Sequence, residues 1–219
     1  MKIAVLGTGM VGIAIASKLI QLGHQVMMGA RTGKNEKAVE WVKSAGAHAS
    51  QGTFAEAARF GEIVFNCTAG MHSLEALRLA GADNLGSKIL IDVANPLDYS
   101  KGMGLTLSVC NTDSLGEQIQ RAFPRVRVVK TLNTMNCNVM VNPGLVSGDH
   151  NVFVSGNDAE AKRQVSAILV DWFGWKKENI IDLGDISTAR GVEMMLPLWV
   201  TLYGALQTVS FNIRIVVGP

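Results

Sequence analysis

Met1-Lys2-Ile3-Ala4-Val5-Leu6-Gly7-Thr8-Gly9-Met10-Val11-Gly12 opens the chain. Ile3 to Leu6 is an apolar run too short for a helix, and it ends in glycine, as a buried parallel strand does. Gly7, Gly9 and Gly12 then complete G-x-G-x-x-G. In that motif the first glycine permits a tight turn, the second lets backbone approach a pyrophosphate, and the third lets helix and strand pack closely. Met10 to Leu22 is patterned as a helix stopped by Gly23, and Gln25 to Met28 reads as a second strand. Strand, glycine turn, helix and strand form the context in which the motif means dinucleotide binding. The pyrophosphate is expected over the helix N-terminus, where free N–H groups and the helix dipole favour an anion. The competing reading is a glycine-rich turn that holds no ligand.

The end of the second strand bears on which dinucleotide. A site that prefers NAD usually carries Asp or Glu there to hold the ribose 2′-hydroxyl. This chain has Gly29-Ala30-Arg31-Thr32, then Lys34 and Lys37, with no acid before Glu36. A guanidinium and a hydroxyl suit a 2′-phosphate, and the missing carboxylate removes a repulsion against it. A charge-assisted hydrogen bond contributes about 1.5–3 kcal/mol, roughly ten- to a hundredfold in affinity. The residues therefore point to NADP(H) over NAD(H). Lys37 reads equally well as a phosphate contact and as part of a solvated helix face.

Size and composition narrow the class. The chain's 219 residues suffice for one domain with a sizeable core and a small appendage. Apolar content of 48% with 17% charged residues excludes disorder. A net charge of +2 with no basic block gives no reason to expect nucleic acid. Cys67, Cys110 and Cys137 are odd in number and lack metal-ligand spacing. They suit free thiols in a reducing cytoplasm, with no metal site. The sequence enters a strand at once, so no signal peptide and a cytoplasmic location are expected. Met194 to Ile213 carries no formal charge, but Pro197, Gly204, Gln207, Ser210 and Asn212 interrupt it. A membrane span needs about 20 mainly apolar residues, so a helix buried in the core or across a dimer interface is expected instead.

Further along, Glu36 to Ser44 is patterned as a helix, Ala47 to Ala49 as a short strand, and Thr53 with Glu56 as a capping box. Glu62 to Cys67, Lys88 to Val93 and Val126 to Lys130 read as strands. Ligands of an open α/β sheet bind outside the carboxyl ends of the strands, so the residues at those ends matter most. Thr68, Ala69 and Gly70 are small enough for a ribose or diphosphate to pass, and equally fit an ordinary turn. His72 follows in the first turn of a helix, where a surface role competes with a place at the ligand edge. Ala94-Asn95-Pro96-Leu97 pairs an amide with a fixed turn. Residues 98–111 read as loop, with Gly102 and Gly104 in it. Asn133-Thr134-Met135-Asn136-Cys137 either lines a polar pocket or bonds its own loop backbone. Beyond it, Asn151 to Ser155 and Ile180 to Leu183 read as strands and Asp158 to Phe173 as a helix. Ile186 to about Ser210 reads as one long helix bent at Pro197, and Arg214 to Val217 as a closing strand. Strands and helices alternate, which makes the fold a Rossmann-type, doubly wound parallel α/β sheet with a small C-terminal α/β lobe. The expected division is a nucleotide-binding domain over 1–138 and a lobe over 139–219 that caps the cleft.

Several segments together resemble a known family. Gly7-Thr8-Gly9-Met10-Val11-Gly12, Gly29-Ala30-Arg31-Thr32, Val129-Lys130-Thr131-Leu132-Asn133-Thr134-Met135 and a helix with Glu193 and Pro197 are similar to the coenzyme F420-dependent NADP oxidoreductases. The cytoplasmic domains of the six-transmembrane epithelial antigen of prostate ferric reductases share this frame. The resemblance covers nearly the whole chain. It implies that Thr8, Met10 and Val11 meet the pyrophosphate or nicotinamide through backbone. It implies that Arg31, Thr32 and Lys34 hold the 2′-phosphate. It places Thr68, Ala69, Ala94, Asn95, Pro96 and Leu97 around ribose and ring, and Asn133 to Cys137 beside the acceptor. No site for the tail of a deazaflavin maps onto these residues.

The expected chemistry is hydride transfer between NADP(H) and a ring-shaped acceptor, a deazaflavin first and a flavin second. Alignment and water exclusion supply such catalysis, so no side-chain acid or base is required. His72 and Cys137 are the candidate proton donors, and each has an ordinary structural reading. Reduction of a carbonyl or imine needs a donor, and relatives with that chemistry carry a larger helical second domain than the residues after Val139 could form. The same residues are also compatible with a non-enzymatic NADPH sensor, and with a subunit that works only beside a partner protein. A homodimer through the 194–213 segment is expected.

Overall fold

The computed structural model describes residues 1–100, 102 and 106–218. The loop reading at Lys101 and at 103–105, Gly104 included, lies outside those residues. β1 (Lys2–Leu6), α1 (Met10–Gln21) and β2 (Gln25–Ala30) form the opening unit. α2 (Glu36–Ala45), β3 (Ala49–Thr53) and α3 (Phe54–Phe60) follow. The short strand expected at 47–49 thus lies a few residues later. Thr53 ends it and also caps α3 in the expected capping box with Glu56. Next come β4 (Ile63–Asn66), α4 (Gly70–Ala80), a single turn α5 (Ala82–Leu85) and β5 (Ile89–Asp92). A two-stranded antiparallel hairpin, β6 (Leu97–Asp98) and β7 (Thr106–Leu107), stands where the sequence suggested only loop. α6 (Leu115–Ala122) is capped by Ser114, whose hydroxyl accepts from the Glu117 N–H at 3.1 Å. β8 (Arg127–Thr131) and the short α7 (Cys137–Val141) precede β9 (Val152–Ser155), α8 (Ala159–Asp171) and β10 (Ile180–Asp182).

Eight strands make one sheet in the order β10-β9-β8-β5-β4-β1-β2-β3. All neighbours run parallel except β8 and β9. The order reverses at β1, whose neighbours are β4 and β2, so a ligand crevice opens at the carboxyl ends of β1 and β4. β9 and β10, from the C-terminal third, extend this same sheet. Successive strand residues feed two cores. Ile3, Val5, Val26, Met28, Phe65, Ile91 and Val129 pack with Ile15, Leu19, Trp41, Val139, Val165 and Trp175 on one face. Ala4, Leu6, Val64, Leu90 and Val128 pack with Phe54, Leu77, Ile119 and Ile186 on the other. Burial on both faces explains why the strands read as continuous apolar runs.

Two expectations for the C-terminal segment need correction. The long helix over 186–210 is three pieces: a 3₁₀ turn (Ile186–Thr188), α9 (Ala189–Met194) and α10 (Leu196–Leu206). The break comes at Met195, before Pro197. Proline then occupies the first turn of α10, where its missing N–H and fixed φ do no harm. Arg214 to Val217 is not a strand. Ile213 O accepts from the Asn151 N–H at 2.9 Å, the Ile215 N–H donates to Asn151 Oδ1 at 2.7 Å, and Asn212 Nδ2 donates to the Asn151 carbonyl at 3.0 Å, which ties the tail to the residue before β9. Among the described residues no helix is long and apolar enough to cross a membrane.

Candidate active site

At the end of β1 the chain turns into α1 with backbone against backbone. Gly7 has φ +117°, and a Cβ on it would stand 2.5 Å from the Cys67 carbonyl oxygen. A Cβ on Gly12 would stand 2.2 Å from the Gly7 carbonyl oxygen. Gly9 is different: a Cβ there meets nothing within 4 Å. Gly9 is the N-cap of α1, which has no side-chain cap and no acid in its first turn. The free N–H groups of a 12-residue helix therefore open onto unfilled space, which fits a diphosphate.

Beside this turn Thr8, Thr32, Lys34, Asn35, Glu36 and Lys37 line a cavity of about 400 Å³. Asn35 caps α2, its Oδ1 accepting from the Ala38 N–H at 3.2 Å, so a second helix N-terminus meets the same space. Arg31 lies on a separate cavity of about 80 Å³, with Phe54, Thr68, Ala69, His72 and Glu75 among its other walls. The structure thus joins Thr8, Thr32 and Lys34 in one cavity and sets Arg31, the chain neighbour of Thr32, on another. Arg31, Thr32 and Lys34 are exposed.

A third cavity, about 270 Å³, lies over the ends of β4 and β5. Val11, Thr68, Ala69, Gly70, Ala94, Asn95 and Leu97 come together in its walls, along with Cys67, Met71, His72, Val93 and Tyr99. Tyr99, and Phe54 and Glu75 on the Arg31 cavity, were not foreseen; a bulky aromatic just after a strand-end turn was the available signal for Tyr99. Met10 projects from α1, 79% exposed. Pro96 is buried below the wall, its carbonyl accepting from the Ser108 N–H at 2.8 Å. Gly70 touches Asn95 closely, since a Cβ on it would stand 2.0 Å from the Asn95 carbonyl oxygen.

Asn133 stands behind Asn95. Its Nδ2 donates to Asn95 Oδ1 at 2.9 Å and to the Val192 carbonyl at 3.1 Å, while Asn95 Nδ2 donates back to the Asn133 carbonyl at 2.8 Å. Leu132 makes the preceding turn with φ 62°, a left-handed conformation unfavourable for leucine. Cys137 lies on α7, and burial pushes its thiol up, which makes it a poorer acid. Burial, with the Asp92 charge added, pushes the Cys67 thiol up as well. His72 is exposed on α4 at the cavity wall. A larger cavity of about 510 Å³ lies against α8 and β10 and shares no residue with this edge.

The least expected feature is a buried charged cluster under the cavity. Lys130, Asp92 and Glu193 are essentially sealed from solvent. The Lys130 ammonium lies 2.9 Å from Asp92 Oδ2 and 2.8 Å from Glu193 Oε1, and it donates to the Ala94 carbonyl. Burial works to discharge Lys130, but the two carboxylates outweigh it and hold the ammonium above its ordinary value. Glu193 also accepts the N–H groups of Leu115 and Gly116 at 2.8 and 3.0 Å, at the N-terminus of α6. Asp92 Oδ1 accepts from Asn66 Nδ2 at 2.8 Å and from the Ala94 N–H at 3.3 Å. Asn66 Oδ1 in turn accepts the Thr68 hydroxyl at 2.7 Å. One hydrogen-bonded chain thus runs from α6 to the cavity wall. Opposite charges ending two adjacent apolar strands, Asp92 and Lys130, were its signal in the sequence.

Residues 2–96 match the family model described as NADP oxidoreductase, coenzyme F420-dependent. A crystal structure of an Arthrobacter sp. FB24 protein, provisionally named an F420-dependent NADP reductase, is 52% identical over 99% of this chain and 100% of that one, with a TM-score of 0.93. This chain belongs to the coenzyme F420-dependent NADP oxidoreductase family. It is an NADP-dependent oxidoreductase by that membership. The rat metalloreductase STEAP3 is 29% identical over 205 residues, which is 90% of this chain and 38% of that protein. An imine reductase from Myxococcus stipitatus, solved with NADP⁺, shares the fold at 18% identity and TM-score 0.62, over 94% of this chain and 64% of that one.

Proposed function

We propose that this member of the family transfers a hydride between NADP(H) and a ring-shaped acceptor, a deazaflavin such as coenzyme F420 first and a flavin second. Bound NADPH supplies the hydride; the chain's own task is to align the two rings and keep water out. The observation that carries this reading is the wall of the 270 Å³ cavity. It is built mainly from small and apolar side chains, with Thr68, His72, Asn95 and Tyr99 as its polar groups and no carboxylate, lysine or arginine among the described lining residues. Flat rings fit such a wall, and hydride transfer between rings asks no acid or base of it.

In this reading Gly7, Gly9 and Gly12 shape the diphosphate turn, with Thr8, Met10 and Val11 offering backbone to it. Arg31, Thr32 and Lys34 hold the 2′-phosphate. Thr68, Ala69, Gly70, Ala94, Asn95, Pro96 and Leu97 flank ribose and nicotinamide, and Asn133 supports Asn95. The dimer belongs to the same reading and is supported by the exposed Leu198, Tyr203 and Leu206 of α10.

Tyr99 favours a second reading. It lies on the cavity wall, 64% exposed, and a phenol can donate the proton that carbonyl or imine reduction requires. Acceptor turnover separates the two.

The phosphate assignment has its own test. Replacing Arg31 with alanine is expected to weaken NADPH by about ten- to a hundredfold, from one lost charge-assisted contact, with NADH little changed. Calorimetric titration of both cofactors checks this. Equal weakening of the two would place Arg31 on the adenine and remove it from the 2′-phosphate.

A further inference from the structure

The buried cluster is hard to explain as a stability device. Sealing three charges costs desolvation energy, and well-packed apolar residues of similar volume often serve as well or better. What the cluster grips explains it more directly. The Ala94 carbonyl accepts from Lys130 and the Ala94 N–H donates to Asp92, so the backbone of one cavity-wall residue is held at both of its polar atoms. The next residue, Asn95, is held by both ends of its side-chain amide through Asn133. A single helix reaches both grips. Val192 O takes the Asn133 amide and Glu193 takes Lys130, and these neighbours sit on α9, far along the chain.

We propose that Glu193 is a positioning residue for the nicotinamide half of the cofactor. It acts through Lys130 and touches neither cofactor nor acceptor. Its carboxylate anchors the ammonium on the Ala94 carbonyl, and its backbone neighbour anchors Asn133 on Asn95. The 94–95 turn is thereby fixed against the sheet edge on the β4–β5 side, where the nicotinamide half lies if the adenine half uses β1 to β3. The inference rests on the NADP(H) reading of this edge. A positioning role of this kind demands a fixed wall, because small displacements at a reacting ring reduce rate and affinity steeply.

The test compares two ligands on the full chain: NADPH, and adenosine 2′,5′-bisphosphate, which carries the adenine end and no nicotinamide. For Glu193→Gln, which keeps the volume and removes the charge, NADPH is expected to bind about tenfold more weakly, as for one lost charge-assisted contact. The bisphosphate should stay within about twofold of the unaltered protein, since none of its contacts is predicted to change. Glu193→Asp keeps the charge but retracts it by one methylene, so its NADPH affinity should fall between those of the Gln variant and the unaltered protein, with the bisphosphate unchanged. Should the Gln variant fail to fold, that selective partial loss is the result the role requires, and its absence overturns it. Equal weakening of both ligands, or no change in either in a folded variant, overturns the proposal. If the unaltered chain does not bind the bisphosphate at all, the NADP(H) reading falls and takes this proposal with it.

Discussion

Lys130→Met is expected to lower the thermal midpoint by about 6–20 °C. That range follows from losing about 3–5 kcal/mol when one partner leaves a buried ion pair, at roughly 2–4 °C per kcal/mol for a chain of this size. Methionine fits the space, so the loss is electrostatic. Asp92 and Glu193 would remain in the core with their cation gone, both wholly buried beside β5 and α9. A total stability of about 5–15 kcal/mol leaves little margin for that. The triple variant Asp92→Asn, Lys130→Met, Glu193→Gln removes the stranded charges with the cation and should recover much of the midpoint. Calorimetric unfolding of the two variants is the check. A single variant that melts like the unaltered protein would mean that the cluster is not the tight ion triad described above.

Gly12→Ala is the second large effect: dinucleotide binding should fall by more than about a hundredfold, with a loss of stability of about 1–3 kcal/mol from overpacking. The added methyl has no route out. It would overlap the Gly7 carbonyl, and Gly7 cannot retreat, because the Cys67 carbonyl already stands where its own Cβ would be. α1 must therefore move away from β1, and the N–H groups at its start move with it. Gly9→Ala is the control, since a methyl there meets open space in the protein and would crowd only a bound diphosphate. Comparing the thermal midpoint and the NADPH affinity of the two variants separates packing from ligand contact. A Gly12 variant that binds NADPH normally would show that the turn is not the diphosphate cradle.

Much of this architecture could be read from local pattern. Apolar runs ending in small residues marked β1, β4 and β5, and Asp158 and Thr53 announced their helices as caps. What failed to show had physical reasons. β6 and β7 have two residues each, too few for any periodicity. The antiparallel pairing of β9 with β8 is a choice of neighbour, which a strand's own residues do not encode. Pro197 marked a bend in this apolar stretch, but a proline that kinks one helix and a proline that opens a new one look alike locally, so the break at Met195 was not placed. At the candidate site, the small residues at strand ends stood out because their size has a purpose at close approach. Lys130 was passed over because a lysine at a strand end ordinarily faces water, and the carboxylate that buries it, Glu193, is brought there only by the fold. Asn133 was placed at the cofactor, and the structure sets it one layer behind, on Asn95.

The measurement that tests the central claim most directly is turnover of the full chain with NADPH and oxidised coenzyme F420, following the deazaflavin absorbance, with NADH as the control and a flavin, a ketone and a cyclic imine as rival acceptors. Rapid bleaching of the deazaflavin with NADPH is predicted, with little bleaching from NADH and none of the carbonyl or imine reduction that a proton donor such as Tyr99 would support. Tight NADPH binding with no deazaflavin or flavin turnover would contradict the hydride-transfer reading. Turnover of the ketone or imine in place of the rings would move the chemistry to Tyr99 or His72.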